Sequence, residues 1–361
     1  MASADARKAV ELPGTVCVRV EECESETMSE RHVLVLGATG FIGGQVARAC
    51  LARGWRVRAL RRQAGATGDL AGLPVEWIDG DLADPQAMGL ALKGMQFVFH
   101  AAGYYPVGGA SVAEHIRRGR RMMQSVLQAW QLAGAPRMVY TSSLSTIGWP
   151  PGGQPRPADE RDHYVPGTLP RSAYYEVKAA MERQALETAS AQAPLIVVNP
   201  TAVFGPGDVH RTTARLLILA ARGWARLSVS APLNVIDVRD VASAHLAAAE
   251  VGAVGERYIL GGWNLSVHEF LKRAAEAAGA PGPRWEVPVE WIDRPAGLIS
   301  HLPGLASAAG HLEAIRFWPT FDSGKAARVL GLRARPLEET LRDAYAWLEA
   351  RGQLRRRRTM V

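Results

Sequence analysis

The stretch that most narrows what this chain can fold into is VLVLGATGFIGGQVARA, Val33 to Ala49. An apolar run leads into Gly37, Gly40 and Gly43, and a helix-like run follows at once. A first glycine there permits a tight turn, and a second lets backbone approach a pyrophosphate. A third lets helix and strand pack closely, with the pyrophosphate at the helix N-terminus. Glycine triplets also occur in ordinary helix-start turns. The strand before, the helix after and a second strand at a suitable distance favour a dinucleotide site.

The rest of the chain to about Gly262 continues the same alternation. Apolar strands read HVLVLG, RVRAL, VEWIDGD, MQFVFHAAG, RMVYTSS, PLIVVNP and ERYILGG, with helical stretches such as FIGGQVARACLARG between them. Continuous apolar strands joined by crossover helices belong to a parallel sheet covered on both faces. The expected fold class is therefore α/β, a Rossmann-type doubly wound parallel sheet with a smaller C-terminal substrate-binding lobe. We read residues 1–27 as a disordered extension and 28–262 as the dinucleotide-binding domain, with 205–234 contributing to the substrate lobe. Residues 263–350 form that lobe and 351–361 a basic tail. After Gly262 come Trp263, Trp285, Trp291 and Trp318 and several prolines; half or more of these tryptophans are expected to be core.

Charge and cysteine content exclude several classes. The formal net charge is +7, but Arg355 to Arg358 supply four of those charges, so the remainder carries 7 − 4 = +3. With no nucleic-acid motif beside them, these arginines read as a solvated tail and no nucleic-acid partner is expected. Loose attraction to an anionic membrane surface is the lesser alternative. No apolar run approaches the roughly 20 residues of a transmembrane helix, and MASADARKAVELPG lacks the apolar region of a secretory signal. Cys17, Cys23 and Cys50 show neither zinc spacing nor a disulfide framework, so a reduced, cytoplasmic setting is expected and no metal.

SAYYEVKAA, Ser172 to Ala180, holds two tyrosines and a lysine. With five Lys and eight Tyr in 361 residues, chance gives about 8 × 5 / 361, roughly 0.1 Tyr-x-x-x-Lys matches, so the spacing is a weak filter alone. On a helix, Tyr174 is four before Lys178 and shares its face, whereas Tyr175 is three before and offset. A nearby ammonium favours the phenolate and lowers a value that is ordinarily near 10. A tyrosine so placed can exchange a proton with a carbonyl oxygen.

The second strand ends RVRALRRQ, offering Arg61 and Arg62 where an NAD-selective site would offer an acid. A basic residue suits the 2′-phosphate of NADP, although arginines facing water or stacking on adenine would leave NAD usable. Asp81 and Leu82 in DGDL are placed for the adenine amino group and its apolar face, or Asp81 caps the next helix.

GATGFIGG, DGDL, VFHAAG, YTSSLSTIG, YYEVK, NPTAVFGPGD and VRDVASAHL together resemble, in order, the extended short-chain dehydrogenases/reductases of the NAD-dependent epimerase/dehydratase superfamily. The resemblance covers about residues 31–265, and its nearest flavour is the dihydroflavonol-reductase-like and sugar-epimerase-like branch. It implies an NAD(P)H cofactor, NADPH modestly favoured, held by Gly37, Thr39, Gly40, Phe41, Ile42, Gly43, Arg61, Arg62, Asp81, Leu82, Ala101, Ala102 and Gly103. Pro200 and Thr201 join them beside the nicotinamide, and Tyr174 and Lys178 complete the set. It implies a catalytic trio of Ser143, Tyr174 and Lys178, with Ser142 and Ser145 as fallbacks for Ser143. His100 reads as structural, and Tyr104 and Tyr105 as pocket walls or plain packing. One feature departs: an asparagine common in an N-x-x-G pattern is Ile116 here, three before Gly119, so its water-mediated support of the lysine must be met otherwise or not needed. Members often form homodimers through the lysine-bearing helix and its neighbour, a face that RRGRR makes unusually charged.

The same trio serves reductases and epimerases. Nucleotide-sugar epimerases commonly carry R-x-x-N-V-Y-G-P after the sixth strand, whereas NPTAVFGPGD places Asn199 at the Arg position and Ala202 at the Asn position. Reductases of the dihydroflavonol type also tend to lack that Asn. The sequence therefore points to an enzyme acting on a small molecule, an NAD(P)H-dependent ketoreductase for a bulky, largely apolar carbonyl compound. A nucleotide-sugar 4-epimerase or dehydratase is the alternative.

Overall fold

The computed structural model describes residues 31–292, 315 and 318–354. The extension of residues 1–27 and the Arg355 to Arg358 run lie outside them. Twelve strands are described: β1 (His32–Leu36), β2 (Arg56–Arg61), β3 (Val75–Asp79), β4 (Phe97–His100), β5 (Arg137–Thr141), β6 (Leu195–Pro200), β7 (Ala202–Phe204), β8 (Leu227–Val229), β9 (Pro232–Asp237), β10 (Arg257–Leu260), β11 (Trp263–Ser266) and β12 (Trp285–Val287). The described α-helices are α1 (Phe41–Ala52), α2 (Pro85–Leu92), α3 (Val112–Leu132), α4 (Ala173–Thr188), α5 (Ala214–Ala221), α6 (Val238–Val251), α7 (Val267–Ala277), α8 (Gly324–Leu330) and α9 (Leu337–Ala350).

Seven strands form one sheet in the order β10-β6-β5-β4-β1-β2-β3, every pair parallel. Its inner strands β1, β4, β5 and β6 are largely apolar because successive side chains enter different cores, whereas β2 and the edge strand β3 carry Arg56, Arg58, Arg61, Glu76 and Asp79. Val33 and Val35 of β1 pack with Val46 and Cys50 of α1 and Val241 and Ala248 of α6. Leu34 and Leu36 of the same strand join Met88 of α2, Met123 and Trp130 of α3, and Val177 and Met181 of α4 on the opposite face. The chain leaves β1 toward β2 but returns as β4 on its other side. This reversal is the topological switch point, at the C-terminal ends of β1 and β4, where ligands usually bind in such sheets.

A third core is drawn from two separate stretches. Phe204, Leu217, Leu233 and Val235 pack with Phe270, Leu271, Leu341, Tyr345 and Leu348. A sheet ordered β11-β9-β7 borders it, and the Tyr345 hydroxyl donates to the carbonyls of Leu217 (3.1 Å) and Ala274 (2.8 Å). Within residues 263–350, however, Ala326, Leu330 and Leu332 pack in the first core with α6 and β10. The later tryptophans depart from expectation: Trp263, Trp285 and Trp291 are 45%, 57% and 69% exposed, and Trp318 is half-buried. They are not core. No described helix is long and apolar enough to cross a membrane.

Candidate active site

The glycine loop is closed by contact. Gly37 has φ +87°, and a Cβ there would lie 2.7 Å from the Ala102 nitrogen and 2.9 Å from the Ala101 oxygen. Only glycine fits between the ends of β1 and β4. A Cβ on Gly43 would lie 2.3 Å from the Gly37 oxygen, so α1 rests directly on the turn. Gly40 is the N-cap of α1 and brings no capping side chain. Thr39, Phe41 and Ile42 stand between these glycines, and the first N–H groups of α1 are presented at the switch point. Thus the residues present fit a dinucleotide phosphate.

At the rim, Arg61 pairs with Asp79 directly across the β2–β3 register, at 2.5 Å, and its guanidinium lies 5.1 Å from the Trp77 ring centre. Arg62 is exposed. Asp81 Oδ1 accepts from the Ala83 nitrogen (2.9 Å), while the cap of α2 is Asp84. Leu82 packs partly against the second core.

The strand-end hydroxyls separate by partner. Thr141 lies 2.8 Å from His245 Nε2. Ser142 Oγ and Ser145 Oγ are buried and have no hydrogen-bond partner among the described residues. Ser143, in extended backbone, accepts from the Ser145 nitrogen (3.2 Å) and starts a short 3-10 turn, Leu144–Thr146. Its Oγ also receives the Tyr174 hydroxyl at 3.1 Å. Of the three candidate serines, Ser143 is the one joined to Tyr174.

Tyr174 and Lys178 sit one turn apart near the start of α4. Lys178 is buried, with Nζ 5.9 Å from the Tyr174 ring centre and 5.7 Å from that of Tyr105. The Tyr105 and Tyr174 rings stack, 5.9 Å apart at 20°. A Cβ on Gly103 would lie 3.1 Å from Lys178 Nζ, so the turn after β4 closes on the lysine. Tyr175 turns to a separate cluster with Tyr164 and Leu169; burial pushes its phenol up, with the nearby Trp318 indole countering. Pro200 ends β6 in a buried position; the Thr201 hydroxyl donates to Asn234 Oδ1 at 2.7 Å.

Burial sets the charges here. It pushes Lys178 down to about 8, with the Glu182 carboxylate opposing. It pushes the Tyr174 phenol well above its ordinary value, the neighbouring Tyr105 adding to the rise and the Ser143 hydrogen bond countering it. The phenol therefore holds its proton at neutral pH, rather than being brought down by the lysine. His100, at the end of β4, is fully buried and held down to about 3 by burial and the Lys178 charge; neither ring nitrogen has a partner among the described residues. At the departing position, Ile116 packs in the second core, and the adjacent His115 Nδ1 lies 2.8 Å from the Tyr104 hydroxyl.

Sequence reading passed over Glu182. It lies four after Lys178 and eight after Tyr174, on the same helical face, and that spacing was the available signal.

The sequence model of the NAD dependent epimerase/dehydratase family matches residues 33–261. The chain belongs to that family. Within it the chain is an extended short-chain dehydrogenase/reductase and an oxidoreductase. This family member is 32% identical over 338 residues to a putative dihydroflavonol 4-reductase of Synechocystis sp., covering 89% of this chain and 95% of the relative. It is 29% identical to sterol demethylase protein B of Methylococcus capsulatus, covering 89% and 99%. Among solved structures it resembles a nucleoside-diphosphate-sugar epimerase from Pseudomonas aeruginosa, with TM-score 0.77 and 28% identity over 90% of this chain and 99% of that one.

Proposed function

We propose that this family member is an NAD(P)H-dependent ketoreductase for a bulky, largely apolar carbonyl compound, of polyketide, flavonoid, steroid or quinolone type. The observation that carries the reductase reading is the state of Asn199. Where epimerases commonly offer an arginine, Asn199 is fully buried and its amide donates inward, to Ser143 O (3.2 Å) and Glu182 (2.6 Å). Ala202, at the usual Asn position, has no polar side chain. Neither residue supplies a donor for a sugar diphosphate. The name of the Synechocystis relative supports the same reading.

A reduced nicotinamide held by the glycine loop would supply the hydride. Tyr174 gives its phenolic proton to the carbonyl oxygen as the carbonyl carbon takes up that hydride, leaving an alcohol. The Ser143 hydroxyl, already on Tyr174, holds the same oxygen. The Lys178 ammonium, beneath both tyrosine rings, stabilises the phenolate that remains until solvent returns its proton. A buried phenol that keeps its proton suits this direction of reaction. Exposed Arg62 favours NADPH, through its 2′-phosphate, over NADH.

Purified protein is incubated with either reduced cofactor and a panel of aromatic ketones and nucleotide sugars. Net consumption of NAD(P)H with a ketone is expected. Isomerisation of a nucleotide sugar without net consumption would overturn the proposal in favour of the epimerase reading, which the Pseudomonas aeruginosa structure represents.

A further inference from the structure

Behind Ser143 four elements meet at one carboxylate. Glu182 of α4 accepts from the Thr146 hydroxyl (2.7 Å) and Asn199 Nδ2 of β6 (2.6 Å) on one oxygen, and from Arg257 Nη1 of β10 (2.8 Å) on the other. Asn199 Nδ2 also reaches Ser143 O (3.2 Å) and Thr146 Oγ1 (2.8 Å). Arg257 reaches the carbonyls of Thr146 and Asp162, each at 3.3 Å. All four side chains are buried. A buried ion pair is weak evidence for stability, since apolar residues of similar volume often serve as well. This one grips both ends of the turn that carries Ser143, and it stands one helical turn from Lys178.

We propose that Glu182 is a positioning residue for the reacting centre: through Thr146 and Asn199 it fixes the Ser143 turn, and its charge faces the Lys178 ammonium. The inference rests on the reading of Ser143, Tyr174 and Lys178 given above. The groups facing Lys178 are Tyr174 and Glu182 on its own helix, His100 on β4 and Tyr105 beyond it. Those facing Glu182 are Lys178, Arg257, Tyr140 on β5 and His163. Of these, Glu182 is the anion beside Lys178, and it opposes the burial that pushes the lysine down.

The test compares Glu182→Gln, Thr146→Val and Tyr174→Phe in the full chain, with kcat, KM and the alkaline limb of the pH profile as readouts. Glu182→Gln is expected to lower kcat about 10- to 100-fold with carbonyl KM changed less than about 3-fold, because loss of position falls on the reacting geometry. It should also move the alkaline limb to lower pH, while Glu182→Asp restores the limb. Thr146→Val should lower kcat with the limb unmoved. A folded Glu182→Gln protein with unchanged kcat and limb overturns the inference; if that variant does not fold, a fully active Thr146→Val protein does so. Turnover retained by Tyr174→Phe would instead overturn the catalytic reading itself.

Discussion

The rings of Tyr174 and Tyr175 lie 6.3 Å apart at 79°, so two consecutive tyrosines enter different surroundings. Tyr174 meets Ser143 and the Lys178 side, and Tyr175 meets Tyr164 and the Trp318 indole. Tyr174→Phe keeps the ring stacked on Tyr105 but removes the proton. It should lower kcat by about 10²- to 10⁴-fold, the range for a general acid. Cofactor affinity, measured by fluorescence titration, should change little. Tyr175→Phe should stay within about 3-fold of the parent, since its hydroxyl serves packing rather than chemistry. Equal losses in both variants would count against Tyr174 as the acid.

Arg61 and Arg62 are neighbours in different surroundings. Arg61 is held by Asp79 and lies over Trp77, whereas Arg62 is exposed. Arg62→Ala is expected to raise KM for NADPH about 10-fold, as loss of one charge-assisted contact to a phosphate would, and to leave NADH within about 2-fold. Steady-state kinetics with both cofactors reads this directly. Equal effects on the two would remove the case for a 2′-phosphate contact.

The glycine loop and the Tyr-x-x-x-Lys face were legible because both are written in local spacing, and a helix or a strand-turn-helix carries that spacing into space unchanged. Spacing alone also ranked Tyr174 above Tyr175. Choosing Ser143 from three serines needed more, since only its place in the turn and its meeting with Tyr174 separate it. The link from Glu182 to Arg257 joins residues 75 positions apart, and no local pattern announces it. Arg61 was legible as a cation at the strand end but not as the cross-strand partner of Asp79, which depends on register. Trp263, Trp285 and Trp291 misled because an amphipathic ring is stable at a surface, so apolar character did not imply a core position.

On the proposed mechanism, Lys178 is expected to set an alkaline limit to turnover. Its value is pushed from 10.5 down to about 8 by burial, so the ammonium proposed to hold the phenolate is lost as pH rises through about 8. For the reduced cofactor, kcat/KM reports the free enzyme. It should fall above that pH with a slope near about −1 per unit. Stability moves the other way. Between about 8 and 10.5 the unfolded chain holds the proton that the folded one has released, so this group's contribution to stability rises with pH. A loss of rate without a loss of melting temperature is therefore expected. Lys178→Arg, which cannot deprotonate, should lack the limb even at reduced activity; a limb that persisted there would assign it to another group.

His100 sets an acid limit of a different kind. Burial and the Lys178 charge hold it down to about 3, and burial holds His245 down to about 4. Both are neutral in the folded protein at pH values where an unfolded chain takes up protons. Below the ordinary 6.5 the unfolded state therefore binds more protons, and stability falls as pH falls. Each such histidine can contribute up to about 1.4 kcal/mol per pH unit. Carboxylates held near 2 when folded, such as Glu114 and Asp159, begin to lose their contribution only as pH falls toward the ordinary carboxylate value near about 4, and they act alike in parent and variant. His100→Phe keeps a ring beside Tyr140 and removes one titrating group. Urea midpoints between about pH 7 and pH 5 should then decline less steeply than in the parent, by about one proton's worth of slope. An identical decline in the two proteins would show that His100 is already protonated when folded, in conflict with its burial beside Lys178.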